Sequence, residues 1–296
     1  MSIALFYAAG TLCAWLARRR PSWLVPAAAA FLALPLLVPS LELRFGLAVA
    51  GLIAVAKALA LSLGRTADGE MQRTFPRFVL WQLLPAESRW PRDQAEQRRA
   101  RHHGLRRVLR GLAELALVTA LAALLPLGFI AQHRGLDDLW TGVFSGLTVP
   151  GLVDLLTGLV MLSGLPVAEV FRLPLLADSP LDFWGRRWNL FYADWARRVL
   201  ILPLRRPVLS AALIFLLTAA VHEELVLVTL GRTRFEMTAF FALQAGALLA
   251  QRLLRRRLRL PRLAAFALHS LWLWLTLPLF FAPMRQIFAL HLERLQ

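Results

Sequence analysis

Residues 217–230 read "LTAAVHEELVLVTL" and close an apolar run that begins at position 207. A helix needs about 20 mostly apolar residues to cross a bilayer, and this run has that length. Deep inside it stand three consecutive ionisable side chains, His222, Glu223 and Glu224. Such groups are costly within a span and face a bundle interior or a wet cavity. Successive helical residues turn by about 100°, so the three cannot all meet the same surface. An imidazole suits proton transfer near neutral pH. The stretch therefore reads as a membrane helix that carries either a working histidine or one satisfied by a neighbouring helix.

Comparable apolar segments recur at about 2–17, 22–39, 45–63, 109–131, 139–165, 237–251 and 263–283. With 58% hydrophobic residues, the chain is greasier than ordinary soluble domains. The expected fold is all-α: a polytopic integral membrane protein of about eight transmembrane helices plus interfacial helices, forming one integral-membrane domain over 1–296. No A-x-A-like cleavage site precedes Arg18-Arg19-Arg20, so the first segment reads as a retained span rather than a signal peptide.

The net charge of +16 raises the question of nucleic acid, and the placement of the arginines answers it. With the N-terminus outside, the inward connections are 18–21, 64–108, 166–206 and 252–262. Together with Arg110 they hold 27 of the 33 arginines. Arg44, Arg134, Arg232, Arg234, Arg285 and Arg294 lie on the outward side. This is the positive-inside asymmetry, so the basic charge is topological and calls for no nucleic-acid partner. The expected location is a bacterial cytoplasmic membrane. Cys13 is the single cysteine; it allows no intrachain disulfide or cysteine-based metal site and reads as a packing residue.

Two inward segments are longer than connectors need to be. Residues 64–108 hold "RTFPRFVLWQLLP" and then the basic "DQAEQRRARHHGLRR"; residues 166–206 hold "SPLDFWGRRWNL" at 179–190. Asp178-Ser179-Pro180 predicts a helix start, with Ser179 capping, Pro180 in the first turn and Asp182 complementing the dipole. On a continuous helix, Trp184, Trp188, Phe191 and Trp195 form one aromatic stripe. Asp182, Arg186 and Asn189 then share another face, with Asp182 and Arg186 placed to pair. An aromatic stripe beside a basic face describes a helix lying at the membrane boundary. A carboxamide among the aromatics, Asn189, exceeds what an anchor requires.

Lys57, Glu114 and Asp154 are further polar residues in apolar segments, read as interhelical pairs or cavity lining. His102-His103 is expected to be solvated in a basic loop, and His133, His269 and His291 to pack or lie at the surface.

The pair "DFWGRRWN" and, some thirty residues later, an intramembrane "HE" resembles the wax synthase branch of the membrane-bound O-acyltransferase superfamily. The likeness is strong over 179–224, with a motif core of 171–235, and weak elsewhere. It implies a multi-helix fold enclosing a substrate tunnel. Acyl-CoA would enter from the cytoplasmic side as co-substrate, and a lipophilic alcohol from the surrounding membrane lipids. No metal or other cofactor is implied. His222 corresponds to the family's essential histidine and Asn189 to its motif asparagine. Asp182, Trp184, Arg186, Arg187, Trp188 and Glu223 complete the expected substrate-binding set, the arginines facing CoA phosphates. Trp184 and Trp188 either line the acyl path or seat the helix. Relatives from plants carry a Gly-containing stretch before "HE"; here it is Ala219-Ala220-Val221, which bears on the choice of acceptor. A sterol, a glycan or a polyketide-like hydroxyl is the alternative acceptor. Two other classes compete. A zinc helix needs a second His four residues on, but position 226 is Val. A transporter would show paired halves with broken segments, and no such pairing is visible.

Overall fold

The computed structural model describes residues 3–254 and 261–295; at 127–128, 131, 207, 254 and 288–295 only the backbone is described. The basic run at 255–260, within the inward segment expected at 252–262, and the side chains of His291 and Arg294 lie outside the described residues. Among the described residues every regular element is helical. The chain divides into two compact units: Met1–Leu83 with Asp194–Ala245 and Ala282–Gln296, and Leu84–Ala193 with Gly246–Phe281.

Among the described residues four helices are long and apolar enough to cross a membrane: Leu41–Ser62, Arg134–Leu162, Val208–Leu230 and Arg262–Ile287. The eight segments expected from hydropathy thus fall into two groups. The first two form the shorter apolar stretches Ile3–Ala17 and Pro21–Leu37. Segment 109–131 falls largely within the 31-residue helix Gln94–Leu124, whose first half is the basic piece that precedes it, helical rather than a loop. His102 and His103 are therefore helical, though exposed as expected. Segment 237–251 lies inside the helix Glu236–Leu254.

In the first unit, Phe31 is fully buried and sets how closely its neighbours approach. A Cβ at Gly10 would lie 3.0 Å from the Phe31 ring, and one at Gly51 would lie 2.7 Å from the Phe31 carbonyl oxygen. Ser40 caps the Leu41–Ser62 helix by accepting from the Leu43 N–H. Lys57, buried in that helix, donates to the Trp81 carbonyl and lies 5.0 Å over the Trp81 ring. A buried ammonium is tolerable only with such partners.

In the second unit, Asp93 starts the Gln94–Leu124 helix by accepting from the Glu96 N–H at 2.7 Å. That helix runs antiparallel against Arg134–Leu162 along four glycines. A Cβ at Gly111 would sit 2.6 Å from the Gly151 carbonyl oxygen, and one at Gly104 would sit 2.8 Å from that of Gly158. Small residues let apolar helices meet backbone to backbone, where lipid gives no hydrophobic drive for association. Gly111→Ala forces the backbones apart and is expected to cost about 1–3 kcal/mol, as overpacking does. The check is a lowered Tm of the detergent-solubilised chain; an unchanged Tm would place the helices further apart than described.

Candidate functional site

The octapeptide belongs to the second unit, and its local structure departs from a plain helix. Ser179 caps as expected, accepting from the Asp182 N–H at 3.2 Å, with Pro180 in the first turn. From Phe183 to Arg187 the chain then makes a π-helical turn, closed by the Trp188 N–H donating to the Phe183 carbonyl at 2.8 Å. Trp188 is extended and Asn189 left-handed, with φ 46°. A new helix, Leu190–Ala196, begins there. The continuous aromatic stripe through Trp184, Trp188, Phe191 and Trp195 is therefore not formed, because the axis is broken at 188–189.

The same turn changes the ion pair. A π turn brings residues five apart, not four, onto one face, so Asp182 pairs with Arg187 at 2.5 Å rather than with Arg186. Arg187 also donates to the carbonyls of Arg172 and Leu173 at 3.4 and 3.3 Å. Arg186 is exposed and remains available to an anion. The two arginines have separate tasks. Arg187→Ala is expected to lower Tm, whereas Arg186→Ala leaves stability within about 0.5 kcal/mol of wild type, as exposed substitutions do. Equal loss of Tm in both variants would refute this division.

Segment 170–173 holds the turn from the other side. The Arg172 N–H donates to the Arg187 carbonyl at 2.9 Å, and the Leu190 N–H donates to that of Val170 at 2.8 Å. Trp188 stacks on Phe183 at 5.5 Å and meets Phe171 edge-on at 5.0 Å. Trp184 is half-buried beside Phe183. Both tryptophans pack against the Phe183 ring. Asn189 spends its side-chain oxygen on the Tyr192 N–H at 3.2 Å. Its amide group thus remains the part suited to donating a hydrogen bond.

A charged network anchors segment 170–173 in turn. Arg110 donates to Asp154, to Glu169 at 2.8 Å and to the Phe171 carbonyl at 3.3 Å. Arg107 reaches the Ala168 carbonyl at 3.1 Å, and Ser88 bridges to Val167. Burial would raise the Glu169 carboxyl, but hydrogen bonds from Arg110 and Arg172 hold it below the usual carboxylate range. Asp154, noted in the sequence as an intramembrane acid, is thereby a structural partner of Arg110. The sequence hint was an acid within a span, which demands a cation nearby; its partner lay at the end of the basic piece. Glu114, on the same helix as Arg110, is buried.

His222 lies in the first unit, on the Pro207–Leu230 helix. Its Nδ1 is 2.8 Å from the Thr218 carbonyl oxygen one turn back. A carbonyl only accepts, so Nδ1 carries the proton and Nε2 is the basic nitrogen. The ring packs against Phe241 at 4.6 Å. Glu223 does not orient it. Its Oε1 accepts from the Thr238 N–H and hydroxyl at 2.8 and 3.1 Å, and its other oxygen accepts from the Thr233 hydroxyl. Glu223 fastens the turn after Gly231 to the start of the next helix. Glu224 is half-buried. Among the described residues no group of three or more His, Cys, Asp or Glu is placed to hold a metal ion.

No family model matches the chain. It is similar to the long-chain-alcohol O-fatty-acyltransferase of Simmondsia chinensis, 39% identical over 92 residues, which cover 27% of this chain and 26% of the plant protein. The matched stretch is thus about a quarter of the relative's length.

Proposed function

We propose that the chain is an acyl-CoA-dependent O-acyltransferase that esterifies a long-chain alcohol to a wax ester. The observation that carries the reading is His222: an intramembrane imidazole whose proton is fixed on Nδ1 by the Thr218 carbonyl, which makes Nε2 a base. The octapeptide at 182–189 and the local likeness to a plant long-chain-alcohol acyltransferase support it.

An alcohol oxygen attacks a thioester well only as its proton leaves. Nε2 of His222 takes that proton while the oxygen bonds to the thioester carbonyl carbon. The amide of Asn189 donates to the developing oxyanion. Collapse expels the CoA thiolate, which recovers the proton from the imidazolium. The products are ester and free CoA, and no covalent acyl-enzyme is needed. Arg186, exposed and cationic, suits the CoA phosphates, and acceptor and acyl chain are drawn from the lipid phase. The test is ester formation from labelled acyl-CoA and a panel of long-chain alcohols, sterols and sugars in membranes holding the full chain. A wax ester as main product supports the reading. A sterol or sugar ester would keep the chemistry and change the acceptor, and no ester with any acceptor would overturn both.

A further inference from the structure

The helix Gln94–Leu124 sorts its arginines by face. Arg107 and Arg110 are spent within the second unit, on the Ala168 carbonyl, Asp154 and Glu169. Arg98, Arg99, Arg101 and Arg106 are exposed. The sequence carries no acid from 97 to 113, and Glu96 just before it is taken by Arg89 at 2.6 Å. Further along, the exposed side chains of this helix become Leu105, Leu109, Leu112 and Leu117. Arg98, Leu105, Leu109 and Leu112 follow helical spacing, so one outward face changes from cationic to apolar. The packed neighbour changes at the same level. Arg134–Leu162 exposes Leu152, Leu156, Leu159 and Leu162 and then ends. A Cβ at Gly104 would lie 3.1 Å from the Leu162 nitrogen, and one at Gly164 would lie 3.6 Å from Nε of Arg101. Two antiparallel helices thus pass from apolar to polar beside Gly104.

From Leu105 to Leu124 the helix rises about 28 Å, close to the roughly 30 Å of hydrocarbon in a bilayer. With that stretch in the hydrocarbon, Arg98, Arg99 and Arg101 stand at headgroup depth. Helical side chains lean toward the N-terminus, so Arg106 reaches the same layer by extending past Leu105. Four cations within about 12 Å of helix repel one another and call for anions. The complementary anion at that depth is a lipid phosphate, which a guanidinium meets with two parallel hydrogen bonds. A basic cluster beside a membrane helix also favours lipids of net negative charge over zwitterionic ones. We infer that the exposed arginines of Gln94–Leu124 form a binding surface for the phosphates of anionic phospholipids. This surface lies wholly within the second unit and holds whether or not the chain transfers acyl groups.

The test is native mass spectrometry of the full chain, released from detergent micelles that hold equal amounts of phosphatidylglycerol and phosphatidylcholine. Wild type is expected to retain phosphatidylglycerol in preference. Arg98→Gln, Arg99→Gln, Arg101→Gln and Arg106→Gln combined are expected to weaken its binding about ten-fold or more, since each arginine near an anionic surface is worth about five-fold. The matching combination of lysines keeps the charge and is expected to keep the preference, which separates charge from folding. Should the glutamine combination fail to fold, the pair Arg98→Gln and Arg106→Gln carries the same comparison. Free coenzyme A, added in a further arm, separates a soluble phosphate from a lipid one and is expected to leave the retained phosphatidylglycerol unchanged. Equal retention of the two lipids by wild type, or an undiminished preference in the glutamine combination, would overturn the inference. Displacement of phosphatidylglycerol by coenzyme A would overturn it too, and give the surface to a soluble phosphate ligand.

Discussion

His222→Ala is expected to lower ester formation about 10²–10⁴-fold, the usual contribution of a positioned general base, while the protein still folds. The histidine is half-buried on a 24-residue helix and its described hydrogen bond is to a carbonyl of the same helix. Alanine is the best helix former, so the helix itself tolerates the change. A structural role would appear as a lost Tm with the residual protein active per folded molecule. A catalytic role appears as an unchanged Tm, a fallen kcat and a little-changed KM for both substrates. His222→Gln sharpens the comparison, because it keeps a polar side chain of similar length but supplies no base.

Asn189 permits a cleaner separation than alanine scanning gives. It has three features at once: a left-handed backbone, a side-chain oxygen that caps the Leu190–Ala196 helix, and an amide with donors to spare. Alanine disturbs all three, since a residue with a Cβ and no local hydrogen bond is strained at positive φ. Aspartate keeps the left-handed tolerance and the capping oxygen, and puts a negatively charged acceptor oxygen where the donating amide stood. Asn189→Asp is therefore expected to retain Tm and to lose about 10²–10³ in kcat, or about 2.7–4 kcal/mol, as removal of an oxyanion donor does. Asn189→Gly keeps the backbone geometry without the amide and is expected to lose activity similarly. If Asn189→Asp kept full activity while Asn189→Gly lost stability, the residue would be a cap and nothing more. Combined with His222→Ala, the losses are expected to be far from additive, as for groups that serve one step.

Much of this was legible in the residues. The start of the octapeptide helix could be read from Ser179 and Pro180, whose capping chemistry is local. The membrane class followed from the length of the apolar runs. Span number was harder, because a window of apolar residues does not reveal that 109–131 continues a basic helix begun at Gln94. The break at 188–189 was hidden for a related reason. Aromatic spacing of four and three fits an α-helix equally well whether or not a π turn intervenes. The available signal was Asn189, a residue that both tolerates the left-handed region and caps helices. The pairing of Asp182 with Arg187 follows from that turn and from nothing in the spacing.

The most direct measurement is wax ester formation from labelled acyl-CoA and a long-chain alcohol, in membranes containing wild type, His222→Ala and Asn189→Asp at equal folded amounts. Robust ester formation by wild type, with a loss of about 10²-fold or more in both variants, is the result expected of a general base and an oxyanion donor. Unchanged ester formation in His222→Ala would contradict the account at its centre.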